Sequence, residues 1–229
     1  MIIRLPFISA PSADHPAIQN LRARLLTFYD NETGYFKDAI QDWHKLFEPL
    51  LAELLKHKDR IRILELGAGR ASFHKYIQDR RGQIEYHVQD ISRQNFEHLK
   101  QVSDFVYIGD IAELRGVPPY DLVFSTFVLE HVLAPTDFLR EVDRLLAPQG
   151  YHVVICPRYD MPGYLCPSLR HHSLFLKMIL SVWLTGSRIK SWIDRRPRFW
   201  INTDPAVFHK VWFRDADAVH LISKFDICR

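Results

Sequence analysis

Apolar residues recur at helical spacing from Ala17 to Tyr29 and again from Tyr35 to His57, where Trp43, Leu46, Phe47, Leu50, Leu51, Leu54 and Leu55 form one stripe. The pattern predicts two helices, with a turn over Asn31–Gly34 between them. The period then shortens. Strand-like runs begin at Ile61 and span Ile84–Asp90, Phe105–Gly109, Asp121–Thr126 and Tyr151–Cys156. Helix-compatible segments separate them over Ser72–Arg81, Arg93–Lys100 and Phe138–Leu146, the last followed by a Pro148-Gln149-Gly150 turn. Strand and helix in alternation require crossover connections between parallel strands, so the expected fold is a doubly wound α/β sheet preceded by N-terminal helices. The Pro-, Ser- and Ala-rich residues before Pro16 read as an arm.

The first strand runs directly into Glu65-Leu66-Gly67-Ala68-Gly69. Without a Cβ at Gly67 and Gly69 the chain can turn sharply and admit a ligand close to its backbone, and the N–H groups of the following helix favour electron-rich atoms. In a doubly wound sheet ligands sit outside the carboxyl ends of the strands, where Gly67, Asp90, Asp110 and Thr126 all fall. An acid at the end of the second strand accepts ribose hydroxyls, and Asp90 has that place; Asp110, after Gly109, suits an adenine amino group. Both aspartates also suit a turn or a helix cap.

The series ILELGAGR, YHVQDIS, YIGDI, YDLVFSTFVLEHV and FLREVDRLLAPQGYHVVICP resembles the class I S-adenosylmethionine-dependent methyltransferases, over about Arg60 to Pro157 and in that family's motif order. The resemblance implies a Rossmann-like sheet and S-adenosyl-L-methionine as cofactor. Gly67 and Gly69, with Ala68 between them, would pass the methionine part, and Glu65 would help to orient it. Asp90 would take the ribose hydroxyls, Ile91 would pack on adenine, and Asp110 with Ile111 would read the adenine edge. Ser125, Thr126 and Phe127 would border the donor methyl. Glu130-His131 matches the LEHV signature, and His131 is the first candidate for a base that takes the proton of a hydroxyl acceptor. Glu130 stands beside it in the catalytic set, or the pair simply orders the loop. His209 and His171-His172 are weaker candidates. A nicotinamide dehydrogenase would share the first turn and the ribose acid but lacks a role for Gly109-Asp110 and the LEHV signature.

The later region has a different composition. Between Arg158 and Arg214 there are ten Lys and Arg against three acids, and four of the five tryptophans. An apolar helix over SLFLKMILSVWL followed by RIKSWIDRRPRFW predicts an inserted helical pair, acting as a substrate lid, a membrane contact through 173–200, or a solvated basic face. PAVFHKVWF reads as a short strand or lid edge, Asp215–Ile222 as a helix capped by its acids, and Ser223–Cys228 as a sixth strand. The family's usual seventh strand is expected to be missing, either because the fold lacks it or because the sequence stops short of the natural product. The expected divisions are 1–58 for the arm and helices, 59–157 for the cofactor core, 158–214 for the basic aromatic insert and 215–229 for the last helix and strand.

The chain has 229 residues, a formal net charge of +3, 47% hydrophobic and 25% charged residues, which suits a folded protein and argues against disorder. Three cysteines without a CxxC pair argue against a disulfide framework and fit a cytoplasmic setting, to which the insert adds the expectation of a peripheral membrane contact. No His/Cys spacing suggests a metal. The expected partner is a small-molecule or lipid- or sugar-linked acceptor, methylated at oxygen, with no stable nucleic acid. The alternatives are a non-catalytic cofactor-binding scaffold and an RNA methyltransferase whose basic, Trp-rich insert holds a strand.

Overall fold

The computed structural model describes residues 7–9, 12–31, 42–159, 161, 164–209 and 215–223. They fall into two compact units: Met1–Leu25, Phe127–Asp137 and Cys156–Arg229 make one, Leu26–Thr126 and Phe138–Ile155 the other.

The second unit holds a five-stranded, all-parallel sheet of β2 (Ile61–Leu66), β3 (Ile84–Asp90), β4 (Phe105–Ile108), β5 (Tyr120–Thr126) and β6 (Leu146–Ile155), in the order β4-β3-β2-β5-β6. The order reverses beside β2, so the Gly67 turn lies at the switch point where such sheets bind ligands. The alternation of side chains along β2 sends Ile61 and Ile63 into one core layer and Leu64 and Leu66 into the other. The first layer is closed by Phe47, by Leu51 of α2 (Glu48–His57), by Phe73 of α3 (Phe73–Tyr76) and by Leu99 of α4 (Phe96–Val102). The second is closed by Ile111, Leu114, Val142 and Leu145, the last two from α5 (Pro135–Leu145).

The doubly wound sheet is the fold expected, with local differences. The helix expected over Ser72–Arg81 is one turn, α3, and a 3-10 turn over Gln78–Arg80; that over Arg93–Lys100 starts as 3-10 and continues as α4. Pro148-Gln149-Gly150 does not end an element but forms a bulge inside β6, between the pairs Tyr120↔Leu146 and Leu122↔Tyr151. Gln149 takes φ 66° there, and a Cβ on Gly150 would lie 2.9 Å from the Tyr120 carbonyl oxygen. Leu46 of the expected apolar stripe is 69% exposed, because Asp42–Phe47 is 3-10 and its three-residue repeat turns Leu46 off the buried face. The expected Asn31–Gly34 turn and the start of the second helix lie mostly outside the described residues.

The expected N-terminal helix is α1, Pro16–Asn31, whose residues up to Leu25 count with the first unit; it is begun by a proline whose missing N–H costs nothing at that position. The arm is not all loop. Its Phe7–Ser9 is a strand, β1, antiparallel to β7 (Trp200–Asn202), which the sequence reading also missed. The helical pair after β6 is a single helix, α6 (Leu174–Asp194), capped by the Ser173 side chain. Its Leu180 and Leu184 join Tyr159, Cys166, Leu169, Ala218 and Leu221 in a third core. The described part of PAVFHKVWF is a 3-10 turn, Ala206–His209, rather than a strand. Asp215–Ile222 is not a helix: Asp215–Asp217 is a turn in which Asp215 takes φ 62°, and the buried residues that follow form no regular element beyond the His220 bridge to Ile201. Residues 224–229, which carry most of the expected sixth strand, lie outside the described residues.

Candidate active site

The glycine turn is held by the tip of the neighbouring strand. Gly67 and Gly69 take φ 60° and 55°, a region costly for any residue with a Cβ. The Gly67 N–H donates to Gln89 Oε1 at 3.2 Å, the Ala68 N–H to the Gln89 carbonyl at 2.9 Å and the Gly69 N–H to Asp90 Oδ2 at 2.6 Å. Gln89 also donates through Nε2 to the Gly109 carbonyl at 2.6 Å, while the Gly109 N–H reaches the Asp90 carbonyl at 2.9 Å. One residue thus ties the turn after β2 to the turn after β4. Gln89 was not among the residues singled out from sequence; its place just before Asp90, the acid expected to take the ribose, was the only signal. These amides serve the turn itself, and α3 has four residues, so the helix-terminus attraction expected there has little to act through.

Asp90 is buried, and its second oxygen accepts from the Ser92 N–H at 2.7 Å. Burial raises its pKa against these hydrogen bonds. The Asn95 side chain and the Ile91 backbone also help to hold its charge. Ile91, beside it, is 43% exposed and offers an apolar face. Glu65 is buried and accepts from the Tyr86 hydroxyl; burial, opposed by that bond and reinforced by the Asp90 charge, raises its pKa to about 8. Asp110 caps the Ile111–Glu113 turn through the Ala112 N–H at 2.9 Å, the bland role expected for it, while the Ile111 side chain packs in the core. At the end of β5, Ser125 is fully buried with an unpaired hydroxyl, and Thr126 is partly exposed.

In the other unit, Phe127 has φ 57° and is 38% exposed, a conformation that costs a bulky residue about 1–2 kcal/mol. The 3-10 turn Leu129–His131 follows. The Glu130 carbonyl accepts the N–H groups of Val219 and His220, each at 2.8 Å, which anchors the LEHV segment to the buried segment after Asp217. His131 Nδ1 lies 3.0 Å from a carboxylate oxygen of Asp217, itself fully buried. Burial disfavours the imidazolium, but the Asp217 carboxylate outweighs it, with help from Glu130 and Asp215, and the pKa rises to about 9. Glu130 is fully buried with both oxygens unpaired, and burial raises its pKa to about 7 against the pull of His131. Tyr159 donates its hydroxyl to Asp215 at 2.9 Å. Sequence reading found Glu130-His131 but took Asp215 and Asp217 for helix caps; the buried Val219-His220-Leu221 run beside them was the signal against a solvated helix end.

His209 lies with Asp204, 2.9 Å from its carboxylate, and stacks on His171 with ring centroids 4.1 Å apart. His171 in turn is 3.8 Å from the His172 ring. Two groups among the described residues have a metal-ligating composition, His171-Asp204-His209 and Glu130-His131-Asp215, where spacing along the sequence suggested none.

The family description "Methyltransferase domain" matches residues 35–218. The chain belongs to the methyltransferase-domain family. The family expected from the motifs is therefore the one found, and its matched span reaches beyond the sheet to include Asp217. No curated protein matches this methyltransferase-domain chain. Among solved structures, the plantazolicin methyltransferase BpumL in complex with SAH is 15% identical with a TM-score of 0.46, over 75% of this chain and 64% of that one. A S-adenosylmethionine-dependent methyltransferase from Clostridium acetobutylicum ATCC 824 is 12% identical with a TM-score of 0.42, over 60% and 58%. Coclaurine N-methyltransferase bound to N-methylheliamine and SAH is 17% identical with a TM-score of 0.41, over 52% and 38%. The methyltransferase-domain chain thus spans 38% to 64% of the length of these three proteins.

Proposed function

We propose that this chain transfers a methyl group from S-adenosylmethionine to an oxygen of a small, phenol-like or lipid- or sugar-linked acceptor. The family match supports the donor, and the residues suit it: Asp90 sets a carboxylate at the end of β3, Ile91 is exposed for an adenine face, and the backbone bends at Gly67 and Gly69 without a Cβ in the way. When bound, S-adenosylmethionine supplies the activated methyl group, so the protein's part is to align the acceptor, exclude water and manage one proton.

The observation that carries the oxygen reading is the His131–Asp217 pair. Asp217, 3.0 Å from Nδ1, holds the imidazole beside a buried carboxylate and favours its protonated form. A base of pKa about 9 is well matched to a phenol-like hydroxyl, whose own pKa is about 10. Incubation with S-adenosylmethionine and paired phenolic and amine acceptors, read by product mass and fragmentation, is expected to give O-methyl products. N-methyl products alone would reject the oxygen reading, and S-adenosylhomocysteine binding without turnover on any acceptor would favour the scaffold.

The lipid-linked acceptor is supported by α6. Leu174, Phe175, Met178, Val182, Ile189, Trp192 and Ile193 are each 52% to 75% exposed. At helical spacing they fall within an arc of about 100°, opposite the face that enters the third core. The exposed basic residues Lys190, Arg195 and Arg196 complement an anionic bilayer surface. No helix among the described residues is long and apolar enough to cross a membrane, so the contact proposed is peripheral. Flotation with vesicles containing phosphatidylglycerol, lost in Trp192→Glu, is the expected result; a stable dimer without vesicle binding would assign the face to a second copy instead.

A further inference from the structure

His171, Asp204 and His209 come from three separate places in one unit. His171 follows the 3-10 turn Pro167–Leu169, Asp204 follows β7 with its N–H on Asn202 Oδ1 at 3.1 Å, and His209 ends the turn Ala206–His209. One carboxylate oxygen of Asp204 lies 2.9 Å from His209 Nε2 and 3.7 Å from His171 Nε2. All three donor atoms lie within 4.8 Å of one another. Donors bound to zinc at ~2.0–2.2 Å in a tetrahedron stand about 3.4 Å apart, a value the two observed separations bracket.

The His171 side chain is 9% exposed and its ring interacts with the Ser168 backbone, but its Nε2, 3.7 Å from Asp204, is withdrawn from water with no hydrogen bond of good geometry. Polar atoms withdrawn from water without a partner are costly, and a Lewis acid is a partner that imidazole lone pairs accept. Two neutral imidazoles and a carboxylate carry one negative charge, which a dication overcompensates by one. The set suits a borderline metal; calcium and magnesium prefer oxygen alone. Three protein ligands leave a fourth position for water. The His171 and His209 rings are stacked with an interplanar angle of 13°, so loading requires them to rotate until both lone pairs point at one centre.

We propose that His171, Asp204 and His209 form a zinc-type divalent cation site that fastens the segment leading into α6 to the turn after β7. A cation that binds this arrangement and not the unfolded chain stabilises the protein in proportion to the logarithm of its concentration. The site is separate from the Glu130-His131-Asp215 group and from the proposed methyl-transfer residues, so it stands or falls independently of that reading.

The test uses the full chain, stripped with EDTA and titrated with ZnCl2, with thermal unfolding and calorimetry as readouts and CoCl2 as a spectroscopic probe. One equivalent of zinc should bind, raise the melting temperature, and be replaced by cobalt with the visible absorption of a four-coordinate centre. Asp204→Asn and His209→Ala alter side chains 40% and 43% exposed, so both variants should fold, and each should lower zinc affinity at least about tenfold. No binding and no shift in the unaltered chain would overturn the proposal. So would binding unchanged in both variants, which would place the metal on other residues.

Discussion

His131 shows how a residue legible in sequence acquires its chemistry from one that is not. The LEHV signature pointed to it, but the proton affinity that decides what it does comes from Asp217, buried in a segment whose acids resemble ordinary caps. With a pKa raised from 6.5 to about 9, His131 is mostly imidazolium at neutral pH, and its basic form grows about tenfold per pH unit up to that value. With His131 in its proposed role as the base, methyl transfer should rise about tenfold between pH 7 and 8 and level off near 9. In Asp217→Asn the main cause of the raised value is gone while burial remains, so the rising limb should move at least one pH unit lower. A pH–rate profile unmoved by Asp217→Asn would remove His131 as the base. The stability sign is separate: the pair contributes fully below pH 6.5 and is lost as pH rises through about 9, so the variant should be destabilised more at pH 6 than at pH 9.5.

The glycine turn makes the same point from the other side. Gly67, Gly69 and Asp90 were legible because turn geometry and strand ends restrict residue type. Gln89 was not, because an amide inside a strand has no pattern of its own. Gln89→Leu keeps the volume but leaves the Gly67 N–H and the Gly109 carbonyl without partners. Two orphaned backbone groups cost about 2–4 kcal/mol, to be read by urea unfolding, and S-adenosylhomocysteine affinity should fall with them. A variant as stable as the parent would show that water replaces the amide at no cost.

At the scale of elements, β2 and β5 were legible because they are buried on both faces and are largely apolar, and β3 because Ile84, Tyr86 and Val88 alternate with polar residues at strand spacing. The β1–β7 pair was not: each strand has three residues, and its partner lies at the other end of the chain, where no local period can announce it. The end of α6 was hidden for a different reason. Its C-cap, Arg195, takes φ 51° and ψ 37° and donates its N–H to the Ser191 carbonyl, a place usually filled by glycine. Charge made RIKSWIDRRPRFW look like a separate piece, whereas the helix simply stops where one arginine turns left-handed. Arg195→Gly should relieve that conformation and raise stability by about 1 kcal/mol in thermal unfolding. A lower melting temperature would mean the arginine side chain contributes more than its backbone costs.

At the scale of the molecule, buried titratable groups set the pH range in which the fold holds, and composition could not reveal this because a mild net charge says nothing about which groups are desolvated. His44, His152 and His220 are each lowered from 6.5 to about 4 by burial, with the Leu129 carbonyl opposing the shift at His220. A lowered pKa means the unfolded chain takes the proton first, so their contribution is complete above pH 6.5 and is lost as pH falls toward 4. For His220, fully buried, this amounts to about 3 kcal/mol. Glu65 and Glu130 act in the opposite direction. Their values are raised from 4.5 to about 8 and about 7, so the unfolded chain loses the proton first and stability falls as pH climbs from 4.5 through those values. His131 adds to the alkaline loss between 6.5 and 9. The histidines penalise acid and the carboxyls penalise base, which leaves a maximum near pH 6 to 7. Melting temperatures measured from pH 4 to 9.5 should trace a dome with that summit. Glu130→Gln removes the charge that burial opposes, so it should flatten the alkaline side while leaving the acid side in place. A melting temperature that climbed steadily to pH 9 would mean these groups are solvated in the folded protein.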